Sequence, residues 1–333
     1  MKRIIWISII LTLAGLFLPL AFLERVSAEE TPQNSPSLPS DDNPASERPL
    51  PQTTYIDSEL YIDLLTGGET RRLSMAEYLP YAVAAEMPVS FEAEALKSQA
   101  IAARTYVVYC TLNVNPKHPD SDICTDYSCC LAYLEEAALR GNWGENFEAN
   151  MEKIETACSL TDGLILRYED KPILATFHSS SAGKTETGEA LWGAVPYLKS
   201  VSSPETAEDV PNFVSTVEVS VENLRESVLL LCPETNFDLD PADWLSDIQL
   251  DDNGRVRSVV ICGSTLSGAE MRKLFSLRST AFTLEYNGSF FVFTVSGYGH
   301  GLGMSQYGAN VMAKNGLNCE EILSHYYPNT ILA

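Results

Sequence analysis

The 333-residue chain is short of positive charge: 22 Lys and Arg face 45 Asp and Glu, a formal net charge of -23. Nucleic-acid binding needs a concentrated basic surface, so no nucleic-acid partner is expected. The same acidity limits adhesion to anionic polymers and is neutral toward sugars, which are mostly uncharged. The stretch Gly297–Gly303 has neither Gly-x-Gly-x-x-Gly nor Gly-x-x-x-x-Gly-Lys-Ser spacing, so nucleotide binding is rejected. Where His178 adjoins Ser179, Ser180 and Ser181, the strained Gly-x-Ser-x-Gly turn is missing, which argues against a serine hydrolase. Large apolar residues are almost absent from residues 29–54, whose Pro, Ser, Asn and Asp read as a solvated linker spanning 29–59.

What is present begins with a targeting segment. Lys2 and Arg3 precede a charge-free apolar run from Ile4 to Leu23, closed by Glu24-Arg25. The run is long enough to span a bilayer, and the basic residues ahead of it place the remainder outside the cytoplasm. Val26-Ser27-Ala28 has the form of a cleavage site. The length of the run favours an uncleaved single-pass anchor within residues 1–28, so the expected localisation is membrane-anchored and extracytoplasmic. Eight cysteines in an exported chain first raise disulfides. Only Cys124, Cys129 and Cys130 cluster; the others are scattered among apolar segments as ordinary buried thiols.

The working part is organised around Glu86, which ends the apolar approach Tyr81-Ala82-Val83-Ala84-Ala85 and is followed by Met87-Pro88. Proline disfavours a helical residue before it, so a helix opened by the capping box from Ser74 to Glu77 should stop near Glu86. A second helix is expected from Ser90 to about Leu112, with Leu96, Ala100, Ala103 and Val107 on its buried face. Glu86 then sits at a break between packed helices, either an awkward core acid or a working one. On the second helix Lys97, Ile101 and Arg104 share a face. Arg104 is a candidate partner for an anionic group near the helix surface, or a solvated cation. Ahead of the capping box, strands are expected at Leu60–Leu65 and Thr70–Leu73 about the turn Gly67-Gly68.

In the polar stretch 113–130, His118, Cys124 and Cys130 are equally spaced, with five residues in each gap. Imidazole and thiolates are the usual ligands of zinc, and a fourth position would be open to water or another side chain. The competing reading is a disulfide from Cys124 to Cys129 or Cys130. Strands expected at Leu164–Tyr168 and Ile173–Phe177 deliver the loop from His178 to Thr187, whose hydroxyls and amides suit a hydroxyl-rich ligand. Trp192, Tyr197 and Lys199 close that segment. Residues 205–290 read as a smaller α+β insertion without a chemical signature, ending near a hairpin at Asn287-Gly288. Beyond it, alternating glycines let backbone approach a ligand and carry His300 and Gln306 into a cleft. The expected fold class is α+β: a mixed helical and β core, residues 60–204 and 291–333, forming a substrate cleft, with the inserted subdomain at 205–290.

Three stretches taken together resemble one family: Glu86-Met87-Pro88 with the segment from Ala95 to Tyr106, the loop from His178 to Glu186, and the segment from Gly299 to Ala309. The family is that of stage II sporulation protein D, whose domain is shared with amidase-enhancer proteins. The resemblance implies a peptidoglycan lytic transglycosylase that cuts between N-acetylmuramic acid and N-acetylglucosamine and leaves a 1,6-anhydro end. It implies action during engulfment in sporulation, on glycan strands from which a partner amidase has removed the stem peptides. Glu86 aligns with the family's catalytic acid, and Arg104, Thr185, Tyr197 and Lys199 fall where the family has functional groups. Lys97, Ser179, Ser180, His300, Gln306 and Tyr307 complete the expected substrate contacts. The triad His118, Cys124 and Cys130 is similar to a zinc site in clostridial members, so Zn2+ is expected there. Glycosidases normally use two carboxylates; here the substrate's own 6-hydroxyl replaces the second. Glu86 must then stay protonated near neutral pH, which an apolar pocket favours. The alternative, from a different class, is a non-catalytic wall-binding enhancer of a partner amidase.

Overall fold

The computed structural model describes residues 55–189 and 195–333. The expected anchor, most of the linker and Trp192 lie outside the described residues. Among the described residues no helix is long and apolar enough to cross a membrane. The architecture is mixed α+β, with small sheets around a helical core.

The hairpin about Gly67-Gly68 forms as β1 (Tyr61–Thr66) and β2 (Glu69–Ser74), with Ile62 opposite Leu73. A short strand, β3 (Ile123–Cys124), lies parallel to β1 on its other side. Ser74 then caps α1 (Met75–Glu86): its Oγ accepts from Glu77 N while the Glu77 carboxylate accepts from Ser74 N. The helix stops where Pro88 requires, and Met87 is extended at φ -126° and ψ 136°. The next helix, α2 (Ala93–Leu112), starts later than the expected Ser90. A turn closed by Phe91 N on Pro88 O occupies the gap, and Glu92 N donates to Asn310 Oδ1 at 2.8 Å.

Helix α2 is the axis of the first core. Ala95, Ala100, Ala102 and Ala103 are fully buried on it, and such small side chains let neighbouring helices approach on several sides. Around it pack α1, α4 (Phe147–Ser159), α7 (Gln306–Lys314) and α8 (Cys319–Tyr326), while α3 (Glu136–Trp143) precedes α4 across a tight turn at Gly144–Asn146. The expected hairpin of Leu164–Tyr168 with Ile173–Phe177 is shorter than its hydrophobic pattern. Only β4 (Leu166–Tyr168) and β5 (Lys171–Pro172) pair, with one further bond beyond Pro172, from Ile173 N to Leu166 O at 3.1 Å. A C-terminal strand, β14 (Ile331–Leu332), pairs with the other edge of β4.

A second core gathers β7 (Val214–Ser220), α5 (Val221–Leu231), β8 (Leu245–Leu250), β9 (Val256–Ile261), β10 (Ser264–Ser267), α6 (Gly268–Leu274), β11 (Phe282–Tyr286) and β12 (Phe290–Ser296). The Asn287-Gly288 hairpin joins the last two strands, Tyr286 opposite Phe291. Phe291, Phe293 and Val295 belong to this second core, beyond the break drawn from sequence at residue 290, because alternate residues of β12 face the same way.

Candidate active site

Two motif loops are laced together before either reaches Glu86. The parallel ladder of β6 (Phe177–His178) with β13 (Met304–Ser305) sets His178 beside Ser305, and bridges join Ser180 to Tyr298 and Glu186 to Leu302. Ser179 O accepts from Tyr307 N at 3.0 Å. Helix α7 starts at this junction, with Ser305 as its cap.

Glu86, the last residue of α1, is held from two sides. Its Oε1 accepts from Ala132 N at 2.6 Å, and its main-chain carbonyl accepts from Gln306 Nε2 at 2.9 Å. The first residue of α7 thus ties the glycine-rich motif to the helix break. The same Gln306 nitrogen lies 3.3 Å from Gln99 Oε1, and Tyr307 sets its ring edge-on to Phe91 with centroids 4.9 Å apart. Beside the acid, Tyr78 stacks on Tyr133 at 5.4 Å, and Tyr81 tilts onto the same ring at 6.0 Å. Burial pushes the Glu86 carboxyl up to about 7, against the lowering pull of the Ala132 amide. Among the described residues no other carboxylate or guanidinium contributes to that shift. A carboxyl poised near neutrality with one donor on it can both give and take a proton.

Arg104 is not at this site. It is fully buried: Nε and Nη2 each donate at 2.7 Å to the two oxygens of Asp57, while Nη1 and Nη2 reach Leu164 O at 3.1 Å and Cys158 O at 3.2 Å. Its anionic partner is the Asp57 carboxylate, buried with it, and solvent does not reach it, because the turn at Asp57 and the chain after α4 cover that face of α2. Lys97 pairs with Glu94 at 2.7 Å. With Lys153 and Glu152 it also lines a cavity of about 300 Å³ between α2 and α4 that does not include Glu86.

The remaining expected contacts fall on the laced loops. Ser180 is buried with its Oγ unpartnered. Thr185 Oγ1 accepts from Val201 N at 2.9 Å, and Tyr197 Oη accepts from Leu174 N at 3.2 Å; Lys199 is exposed. His300 keeps solvent contact, and its Nδ1 accepts from Leu302 N at 3.0 Å, which holds the ring neutral. Partial burial and then the charge of Arg272 also keep it below the ordinary imidazole range. His178 makes a Ser–His pair, its Nε2 2.7 Å from Ser181 Oγ and its Nδ1 3.2 Å from Leu302 O. Ser181 is fully buried, so this pair has no route to a substrate.

Sequence reasoning missed three groups. The Ala132 amide and the Tyr133 ring follow Cys130 directly and carry no local signal beyond that proximity. Glu205, only 3% exposed, accepts from Ser181 N at 2.6 Å and from Ser203 Oγ and Ser305 Oγ at 2.5 Å each. It knots both motif loops to the chain entering the second core. A Cβ on Gly308 would overlap Tyr326 Oη, Ser203 Oγ and the Glu205 carboxylate, which accounts for glycine at that point of the motif.

A separate cluster joins His118, Cys124, Cys129 and Cys130, whose ligand atoms all lie within 4.8 Å of one another. His118 Nε2 is 3.3 Å from Cys130 Sγ, and its Nδ1 is 3.0 Å from Ser121 O, a partner that would fix the tautomer with Nε2 free for a metal. Tetrahedral zinc with bonds of about 2.0–2.3 Å separates its ligand atoms by roughly 3.3–3.8 Å, so the donor set fits. All eight cysteines are free thiols. Cys129 is the fourth group that spacing alone left open.

The family model described as Stage II sporulation protein matches residues 67–168, which contain the Glu86 break, α2 and the cysteine loop. The chain is 38% identical over 258 residues to Stage II sporulation protein D of Bacillus amyloliquefaciens, covering 77% of this chain and 73% of that one. It is 37% identical over 261 residues to Stage II sporulation protein D of Bacillus subtilis, covering 78% and 74%. The chain belongs to the stage II sporulation protein D family. It is also 26% identical over 306 residues to the Amidase enhancer of Bacillus subtilis, covering 74% of this chain and 39% of that one. Within the family frame, the helix break and the two laced loops are one assembly, joined through Gln306.

Proposed function

We propose that this stage II sporulation protein D family member is a peptidoglycan lytic transglycosylase acting in sporulation, with Glu86 as its one acid and base. What carries the reading is one partly buried carboxyl at the helix break, held by a single amide and raised by desolvation to about 7, with no second carboxylate bearing on it. Protonated Glu86 gives its proton to the glycosidic oxygen as the bond to the muramic acid anomeric carbon breaks. The resulting carboxylate takes the proton of the 6-hydroxyl as that oxygen bonds to the same carbon, closing the 1,6-anhydro ring. Protons balance and no water enters. The Ala132 amide orients the carboxyl, and the buried Tyr78 lies close enough to sense its charge.

The proposal includes zinc held by His118, Cys124, Cys129 and Cys130. Such a closed ligand set serves a structural role, fixing the loop that delivers Ala132 two residues beyond Cys130. Metal analysis should find stoichiometric zinc that is lost from His118→Ala and Cys129→Ser proteins; unchanged content rejects the site. The proposed setting is the outer face of the membrane, through the N-terminal anchor, with stem-peptide-free glycan strands as substrate and with a partner amidase and the engulfment machinery as partners.

The similarity to the Amidase enhancer supports the alternative of a non-catalytic enhancer. Incubation with stem-free glycan strands separates the two. Anhydro-ended fragments released by the natural protein and absent with Glu86→Gln, which still binds the strands, are the expected result. No fragments from either protein, with amidase stimulation intact in both, would establish the enhancer reading instead.

A further inference from the structure

The insertion that lacked a chemical signature brings three guanidinium groups to the glycine-rich loop. Arg255 is 2% exposed; its Nε stands 3.4 Å from Glu186 Oε1 and has no hydrogen-bond partner. Gly301 lies directly over it, since a Cβ there would come 2.6 Å from Arg255 Nη2. Arg278 places its guanidinium carbon 4.4 Å from the centre of the exposed Tyr298 ring. It spends one nitrogen on Asn212 O at 2.8 Å, while its carbonyl accepts from Gly299 N at 2.9 Å. Arg272 donates from Nε to Leu277 O at 3.2 Å, and its charge reaches both Tyr298 and His300. Among the described residues neither Arg272 nor Arg278 has a carboxylate within ion-pair distance.

In a chain with 45 acids and 22 bases, three arginines gathered against one loop, with Glu186 and Asp251 set beside Arg255, are not what composition dictates. Guanidinium groups hold carboxylates through paired, planar donors, and a partly buried cluster with unspent donors gains most from an added anion. The same loop continues to Gln306, whose side chain holds the Glu86 carbonyl, and to Tyr307, whose ring meets Phe91, so the arginines back the motif that is tied to Glu86.

We propose that Arg272 and Arg278, backed by Arg255, form a carboxylate subsite that takes the lactyl carboxylate of a muramic acid in the strand held at Glu86. This rests on the transglycosylase reading and adds a basis for substrate choice. Removing the stem peptide frees that carboxylate; in a peptide-bearing strand it is an uncharged amide. The subsite thus reads whether the strand has been stripped.

The test measures binding to Glu86→Gln protein, which leaves strands uncut, using stem-free strands and the same strands with lactyl carboxylates converted to amides. Free-carboxylate strands should bind about tenfold more tightly, as expected for a charge-assisted pair at a partly exposed site. Adding Arg272→Gln and Arg278→Gln should bring the ratio close to one, and Arg278→Gln alone should lower it part-way, with thermal unfolding confirming that each protein is folded. A ratio unchanged by the arginine substitutions overturns the subsite and leaves the transglycosylase reading standing. Peptide-bearing strands binding as tightly as free-carboxylate strands would overturn the lactyl assignment. Failure of every strand to bind, with no cleavage by the natural protein, removes both proposals together.

Discussion

Glu86 and Glu205 are two acids set at junctions between motifs, and they are held in opposite ways. Glu86 accepts one amide hydrogen bond, from Ala132, and burial raises it to about 7. Glu205 accepts three, from Ser181 N, Ser203 Oγ and Ser305 Oγ. A carboxyl with one donor keeps acceptor capacity for a substrate proton, whereas donors on both oxygens commit a carboxylate to the fold. The under-satisfied acid is the one suited to chemistry, and the saturated one sets the loops that face it. The arginines repeat the contrast. Arg104 is saturated by Asp57 and two carbonyls, while Arg255 leaves Nε unpartnered beside Glu186.

Substitution should separate the members of each pair. Glu86→Gln removes the proton that is transferred and should cut glycan cleavage by about a thousandfold, read from product formation at equal folded protein. Arg104→Ala leaves Asp57 buried without its partner and should lower unfolding stability by about 3–5 kcal/mol in urea titration. A loss of less than about 1 kcal/mol would mean that the pair is a surface one.

The raised carboxyl also makes stability and rate depend on pH. Between the ordinary carboxylate range and about 7, the unfolded chain loses this proton before the folded protein does. Stability therefore falls as pH rises through that window, by roughly 3 kcal/mol at most from this group. Glu86→Gln should remove the slope and be the more stable protein above pH 7, and kcat/KM of the natural protein should fall as pH rises through about 7. Equal slopes in the two proteins would contradict a raised Glu86. The smallest effect is expected for Glu205→Gln, about 2 kcal/mol of stability through the weakened serine bonds. Its cleavage rate per folded molecule should stay within about tenfold of the natural protein. A loss as large as that of Glu86→Gln would erase the distinction between the two acids.

Much of the local structure was legible in short-range chemistry. The capping boxes at Ser74, Ser267 and Asn318 open three helices, Pro88 ends one, and Asn287-Gly288 turns a hairpin. The position of Glu86 followed from the same signals. Arg104 did not, because its partner Asp57 is 47 residues away and helix periodicity cannot distinguish a face covered by another segment from one in solvent. The same limit hid Glu205, two of whose three donors, Ser181 and Ser305, come from 24 and 100 residues away, and the parallel pairing of Phe177–His178 with Met304–Ser305. The insertion looked featureless for a related reason. Its arginines acquire meaning only where the chain brings them against Gly301 and Tyr298.

The most direct test of one carboxyl serving as acid and then base is cleavage of stem-free strands in heavy-oxygen water, followed by mass analysis of the new ends. Attack by the 6-hydroxyl predicts 1,6-anhydro ends without heavy oxygen in the natural protein, and no new ends with Glu86→Gln. Reducing ends carrying one heavy oxygen would show that water is the nucleophile and would contradict the account.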